Sequence, residues 1–244
     1  MSITNTLATS ARVLAQLRRD TRTLALLFHV APALLALFKA IFDHQPQTFI
    51  RIGAPMIGVF PLIMMFLITS IAMLRERTTG TLERLMSLPL AKLDLLLGYA
   101  LAFALLAAIQ GGVTGAVGFG VLDIKAAGPD WAVVLLAIVN ALLGMALGLF
   151  LSAFARTEFQ AVQFLPAVLF PQILLGGLLI PRPRMPHALQ IVSDALPFSY
   201  AYDALARVTA DNTGIWLWLD IVIVAGSITL ALLLSATTLR RRTA

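Results

Sequence analysis

Few side chains in this sequence have the types and spacing that catalysis requires. There is no cysteine, which excludes thiol catalysis, disulfides and cysteine-based metal sites. The three histidines, His29, His44 and His187, stand apart, and none belongs to a His-Glu-x-x-His pattern. The sequence also contains no nucleophile elbow and no glycine-rich nucleotide-binding loop. It therefore predicts no catalytic residue, no metal site and no cofactor bound by this chain.

The remaining candidates are uncharged polar side chains within long apolar stretches. We expect most of them to form hydrogen bonds between helices, each worth about 1 kcal/mol or less. Three of them are also weak candidates for lining a substrate path: Gln110, Asn140 and Gln172. The same stretches lack acidic residues at their centres, which argues against a carboxylate-based ion pump or cation pore. We expect His29 to pack against another helix.

These polar residues lie on apolar segments that are long enough to cross a membrane. The 244 residues are 59% hydrophobic and only 12% charged, unlike a soluble domain. Because lipid offers the backbone no hydrogen bonds, such segments must be helices. The predicted fold is an all-α integral membrane protein, a single transmembrane domain over 1–244. Its six spans are predicted at 21–42, 52–74, 93–122, 131–154, 159–180 and 215–239.

The distribution of charge predicts the direction of these spans. Loops on one side receive twelve of the eighteen basic residues and five acids, whereas the other side receives six bases and seven acids. By the positive-inside rule the first side is cytoplasmic, so both termini are expected there. The net charge of +6 is thus explained by a membrane, with no need for nucleic acid as a partner. The expected location is the cell (inner or plasma) membrane.

Residues 1–20 have the leucine spacing of a short amphipathic helix. Leu14 and Leu17 share one face, while Arg12, Arg18 and Arg19 would be available to lipid phosphates. We predict a helix lying in the inner interface, and a disordered basic tail is the alternative.

The outer connection, 181–214, is punctuated by prolines into two short amphipathic segments. Each is too short to span, so we predict a re-entrant helical hairpin, with two helices lying on the surface as the alternative. A candidate outer gate in this segment consists of Pro197, Tyr200, Tyr202 and Asp203.

The inner connection reads Arg75-Glu-Arg-Thr-Thr-Gly-Thr-Leu-Glu-Arg-Leu-Met-Ser-Leu-Pro-Leu90. Gly80 can break the helix that continues from the second span, and Thr79 or Thr81 can cap a new one. Glu83 in the first turn suits the positive end of the helix dipole. Leu82, Leu85 and Met86 then form an apolar ridge. This ridge must dock on the chain's own bundle, on headgroups or on a cytoplasmic partner.

This run, with Pro89 following, resembles the inner loop of ABC-2 type permeases, especially of the branch with drug-resistance permeases such as the daunorubicin exporter's membrane subunit. Met86 replaces the second leucine of the family's pattern. The segment Leu196-Pro-Phe-Ser-Tyr-Ala-Tyr-Asp-Ala-Leu205 is similar to a second landmark of the family, which carries an arginine directly after the leucine. Here Ala206 takes that place and Arg207 follows it.

The resemblance implies an ATP-driven exporter that moves hydrophobic drugs or lipids by alternating access. It implies two permeases per transporter, alike or different, and two cytoplasmic ATPase subunits that bind the ATP and Mg. It also implies that 75–90 is the coupling helix, with ATPase-coupling residues Arg75, Glu76, Arg77, Thr79, Gly80, Thr81, Leu82, Glu83, Leu85 and Met86. The alternatives are a permease of the same fold for a polysaccharide, haem or an ion, or a non-transporting scaffold or lipid-processing protein.

Overall fold

The computed structural model describes residues 2–81, 84–85 and 92–238, and every regular element in these ranges is a helix. The first five helices are α1 (Ile3–Arg19), α2 (Thr21–Ile41), α3 (Pro46–Thr78), α4 (Lys92–Gly120) and α5 (Asp130–Leu151). Next come α6 (Glu158–Phe164), a π-helical turn (Leu165–Leu169), α7 (Phe170–Leu175) and a 3₁₀ turn (Arg182–Arg184). The chain continues through α8 (His187–Asp194), α9 (Pro197–Thr209) and α10 (Ile215–Thr238).

Six of these helical stretches are long and apolar enough to cross a membrane, which confirms the predicted class. They are Thr21–Ile41, Ile52–Thr78, Leu93–Gly120, Asp130–Leu151, Glu158–Leu175 and Ile215–Thr238. The largest difference from prediction is in the second, where α3 runs from Pro46 to Thr78 rather than over 52–74. Charged residues end an apolar run without ending a helix, so hydropathy underestimates the length of α3.

The fifth span is broken, which the sequence analysis did not predict. It ends at Leu175 rather than near residue 180, and a π-helical turn over Leu165–Leu169 interrupts it. Pro166 lies in that turn and Pro171 in the helix that follows. Because proline has no backbone N–H, each removes a helical hydrogen bond and favours such an irregularity. These two prolines were the available signal.

The core of the bundle is the contact between α3 and α5. A Cβ on Gly144 would lie 2.1 Å from the carbonyl oxygen of Leu62, and one on Gly148 would lie 2.5 Å from that of Phe66. The Thr69 hydroxyl donates to the Met65 carbonyl at 2.6 Å and lies 3.3 Å from that of Met145. These small residues thus allow a close approach of the two helices within this chain.

Helix α1 packs against α4, and this arrangement corrects the expected role of Arg12. A Cβ on Gly98 of α4 would lie 2.5 Å from the Cβ of Thr9. Arg12 donates to the Tyr99 hydroxyl at 2.5 Å and lies 3.5 Å from Glu76, so it faces the bundle rather than lipid phosphates. The predicted helix is present. The prediction about Arg12 is wrong, because its guanidinium binds Tyr99 and Glu76 within the chain.

His29 also differs from expectation. Its side chain is exposed, and its Nδ1 lies 2.9 Å from the carbonyl oxygen of Ala25, one turn earlier in α2. It therefore does not pack against another helix of this chain.

The predicted outer segment, residues 181–214, forms two short helices, as its prolines predicted. Helix α8 leaves Leu189 and Val192 exposed. Helix α9 is mostly buried and contacts α3, α5, α7 and α10. A Cβ on Gly58 of α3 would lie 2.5 Å from Leu205 of α9.

The α3–α5 contact yields a stability prediction. We expect Gly144→Ala to lower the free energy of unfolding by about 1–3 kcal/mol, since the added methyl group meets the Leu62 carbonyl and forces the helices apart. Unfolding in mixed micelles, followed by circular dichroism, measures the loss. Gly226→Ala in α10 is the matched control, because its Cβ meets nothing within 4 Å. Equal stability of the two variants would contradict this account.

Candidate functional site

Helix α3 ends just before Gly80, which is where the sequence predicts a break in the helix. Gly80 has a φ of 73°, a left-handed conformation that glycine adopts without steric cost. Thr79 stabilises the last turn of α3 by donating its hydroxyl to the Arg75 carbonyl at 2.8 Å. Its hydroxyl also lies 3.0 Å from that of Thr81. A new helical turn then starts, with the Arg84 N–H donating to the Gly80 carbonyl at 3.1 Å.

The three charged residues before this break each contact a different helix. Arg75 donates to both carboxylate oxygens of Glu158 in α6, at 2.7 and 3.1 Å. Glu76 lies 3.5 Å from Arg12 of α1. Arg77 donates to the Thr238 hydroxyl of α10 at 3.2 Å. We call this side of the molecule the Arg75 end. Its charged side chains tie the end of α3 to three other helices.

The described part of the predicted apolar ridge is Leu85. It is half-buried and packs against a core cluster formed by α1, α2, α3, α4, α5 and α10. The other ridge residues, Leu82 and Met86, and the predicted contact residue Glu83 lie outside the described residues. The sequence left three possible docking surfaces for the ridge: the chain's own bundle, lipid headgroups or a partner. Leu85 packs on the chain's own bundle.

An elongated cavity of about 760 Å³ lies beside this end, between α1, α2, α3 and α4. Its lining away from the Arg75 end is apolar, with Leu26 and Val30 on α2 and Met64 and Ile68 on α3. Its polar lining is concentrated at the Arg75 end and includes Asp20, Gln16, Arg75 and Glu76. Sequence reasoning missed this cavity because its walls come from four helices, each with an ordinary apolar face.

The three residues proposed as path candidates lie elsewhere, within helix contacts. Gln110 donates to the Leu27 carbonyl of α2 at 3.2 Å, and Asn140 lies 3.5 Å from the Ala201 carbonyl of α9. Gln172 is buried in α7, where its backbone carbonyl approaches Gly176. None of the three lines the cavity at the Arg75 end. Gln110 and Asn140 thus act as hydrogen-bonding contacts between helices, the more ordinary of the two expected roles.

At the opposite side of the molecule, Arg182 organises the outer segment, and we call this side the Arg182 end. Its guanidinium donates to Asp203 of α9 at 2.5 Å and also to Asp194 of α8. It lies 5.1 Å from the ring centre of Tyr200, whose hydroxyl donates to the Asp194 carbonyl at 2.7 Å. Two of the predicted gate residues, Tyr200 and Asp203, therefore meet around an arginine that the sequence analysis did not select.

The other two predicted gate residues have packing positions. Pro197 begins α9. Tyr202 is buried and stacks on Phe198, with ring centres 6.3 Å apart. Arg207, whose place differs from the family's pattern, donates to Asp220 of α10 at 2.8 Å and so joins α9 to α10.

The electrostatics of Arg182 and Asp203 reflect their partial burial. Burial raises the pKa of Asp203, and the hydrogen bond from Arg182 only partly offsets this effect. Burial acts to lower the pKa of Arg182, but the hydrogen bonds and charges of Asp203 and Asp194 outweigh it and raise that pKa. The ion pair therefore compensates a desolvation cost, and each partner depends on the other.

This dependence predicts the effect of removing one partner. Arg182→Gln should destabilise the protein by about 1–3 kcal/mol, because it leaves the Asp203 carboxylate partly buried without a cation. Adding Asp203→Asn to Arg182→Gln should restore much of the loss. Arg184→Gln, which changes an exposed neighbour, is the control. Thermal unfolding in detergent measures all four proteins, and a double variant no more stable than Arg182→Gln would contradict the pairing.

Comparison with known proteins agrees with this architecture. Residues 4–209 match the sequence model of the family described as ABC-2 type transporter. ABC transporter G family member 20 of Dictyostelium discoideum is 26% identical over 176 residues, covering 72% of this chain and 24% of that protein. The Probable multidrug ABC transporter permease YbhR of Escherichia coli (strain K12) is 27% identical over 175 residues, covering 70% of this chain and 48% of that protein. The chain thus spans about a quarter of the first relative's length and about half of the second's.

The family match runs from the start of α1 to the end of α9, and it includes the break at Gly80 and the outer helices. Together with six helices that are long and apolar enough to cross a bilayer, it shows that this chain is an integral membrane protein of the ABC-2 type transporter family.

Proposed function

We propose that this chain is the membrane-spanning subunit of an ATP-driven exporter of hydrophobic drugs or lipids. The observation that carries the proposal is the connection of the α3 end to α6, α1 and α10 through Arg75, Glu76 and Arg77. A displacement of the segment after Gly80 would act on three helices at once. This arrangement suits a lever through which a cytoplasmic partner moves the bundle.

The partner in this proposal is an ABC ATPase present in two copies, which binds ATP and Mg. The sequence offers no nucleotide-binding loop of its own. One relative is named a probable multidrug ABC transporter permease, which supports both the division of labour and a hydrophobic substrate. ATP shifts the transporter between inward-open and outward-open states only through its different affinities for those states. In the inward-open state the Arg182 network holds the outer segment closed.

A second permease subunit, alike or homologous, completes the transporter in this proposal. Helix α2 and the broken fifth span expose most of their surface, and the polar side chains of His29 and Gln163 lie on it, away from the ends of the spans. A polar side chain facing lipid costs free energy, whereas a facing helix can hydrogen-bond to it. These two helices therefore suit contact with the second subunit.

The proposed orientation places the Arg75 end in the cytoplasm. Arg12, Arg75, Arg77 and Glu158 lie together at this end of the molecule, with the arginine-rich end of α1, and this supports the proposed orientation. The positive-inside rule then puts the Arg182 end outside, in the cell membrane.

Single-cysteine labelling tests this orientation, because the native chain has no cysteine. In intact cells, a membrane-impermeant maleimide should label Lys125→Cys at the exposed loop of the Arg182 end. It should label Ala11→Cys, on the exposed face of α1, only after the cells are lysed. Labelling of Ala11→Cys in intact cells, without labelling of Lys125→Cys, would reverse the proposed orientation.

The break at Gly80 tests the coupling role. Whether the neighbouring gene encodes a Walker-motif ATPase is the first observation, and that ATPase is then co-expressed with the chain. Gly80→Ala should reduce the amount of co-purified ATPase several-fold, since alanine costs about 1–2 kcal/mol in the left-handed conformation and the following segment must shift. Transport of a hydrophobic dye in vesicles should fall with it.

The matched control is Gly112→Ala. At both glycines an added Cβ meets nothing within 4 Å, but only Gly80 has a positive φ. The control should bind the ATPase and transport as the parent does. If Gly80→Ala also does so, the coupling role of this break is wrong.

A further inference from the structure

The cavity beside the Arg75 end is lined by polar residues at one end and by apolar residues along the rest of its length. From Asp20, the N-cap of α2, its wall follows Thr23, Leu26 and Val30 along one face of that helix, over about 15 Å in all. On the α3 side, the wall follows a single face of α3 from Met64 to Thr79, just past the end of that helix. The apolar residues line the part farther from the Arg75 end, and the polar ones lie at that end. A volume of about 760 Å³ falls in the range of sites for drug-sized ligands.

The charged groups in the polar part of the cavity differ in how far they are already paired with other residues, and so in how available they are to a ligand. Two carboxylates, Asp20 and Glu76, and one guanidinium, Arg75, line it. Arg75 donates to both oxygens of Glu158, which lies outside the lining, so its strongest hydrogen bonds are already used. Its nearest nitrogen is still 4.0 Å from Asp20. The cation at this site is thus engaged by a carboxylate outside the cavity.

Asp20, by contrast, stays ionised and keeps capacity to accept hydrogen bonds. Hydrogen bonds from the Thr23 hydroxyl at 2.6 Å and the Thr23 N–H at 3.1 Å, followed by the charges of Arg75 and Arg22, lower the pKa of Asp20. Glu76 has Arg12 at 3.5 Å as its ion-pair partner on the α1 side. A carboxylate can accept about four hydrogen bonds, so Asp20 can bind a further cation.

From this geometry we infer that the cavity binds an amphipathic cation, a lipophilic amine or quaternary ammonium. Its charged head lies at Asp20, and its apolar body lies between α2 and α3. The inference deepens the proposed function by naming a substrate class, and it rests on that function for transport but not for binding. An anionic lipid is disfavoured because its phosphate would face two carboxylates and an arginine already paired with Glu158.

Equilibrium binding of tritiated dodecyltrimethylammonium tests the inference. The full chain is reconstituted in phosphatidylcholine nanodiscs, and empty nanodiscs give the background partition into lipid. We expect saturable binding that Ile68→Trp weakens at least tenfold, since the indole fills the space between α2 and α3. Leu26→Trp, on the opposite wall and exposed, should act similarly and tests the cavity even if Ile68→Trp does not fold. Val222→Trp, on an exposed face of α10, is the matched control and should bind as the parent does.

The charge of the head is tested separately. Asp20→Asn keeps an N-cap for α2 but removes the charge, so it should weaken binding of the ammonium about threefold. It should leave competition by uncharged dodecyl maltoside unchanged. Asp43→Asn, an exposed acid near the other end of α2, should change neither.

Three outcomes would overturn the inference. The first is binding that both tryptophan variants leave unchanged, which would place the ligand elsewhere. The second is binding that does not saturate. The third is tighter competition by dodecyl sulfate than by the ammonium, which would favour an anionic lipid instead. Since all of these measurements use the chain without an ATPase, their failure is distinct from failure of the coupling experiment.

Discussion

The close contact between α3 and α5 is the constraint on which the rest of the structure depends. Gly144 and Gly148 leave no room for a side chain against the backbone of α3, and Thr69 adds a hydroxyl near the carbonyls of both helices. In lipid the hydrophobic effect gives little drive for helices to associate, so such close van der Waals packing supplies it. With α3 held along α5, the two ends of α3 act as fixed points for the helices around it.

Pairs of charged residues connect the helices near the two ends of the bundle. At the Arg75 end, Arg75 and Glu76 pair with Glu158 and Arg12, and at the Arg182 end, Arg182 pairs with Asp194 and Asp203. Ionised groups are expensive in hydrocarbon, so these pairs can form only near the water on either side. Between them, the contacts are apolar or use uncharged donors such as Gln110 and Asn140. The middle of the bundle is thus held by close packing, while ion pairs connect the helices at its two ends.

The two proposals use different parts of this arrangement. The coupling role depends on the end of α3, where a left-handed glycine follows three tied residues. The ligand role depends on the space that α1 to α4 leave open next to it. Arg75 belongs to both, since it lines the cavity and binds Glu158. This shared residue gives a physical route by which a ligand and the segment after Gly80 can affect each other.

The sequence by itself determined the class of fold and the six spans, because a backbone in lipid must satisfy its hydrogen bonds within each helix and apolar length is a local property. It also placed the break at Gly80, since positive φ is a local preference of glycine, and the motif around it indicated the family. Only the tertiary structure decided the partners of individual side chains. Arg12 binds Glu76 and Tyr99, and the His29 side chain is exposed. Arg182 binds acidic residues of two helices in the predicted outer segment. These contacts join residues far apart in the chain, and the cavity arises from four helices together. No local pattern specifies such contacts, because they depend on how each helix is rotated when it packs.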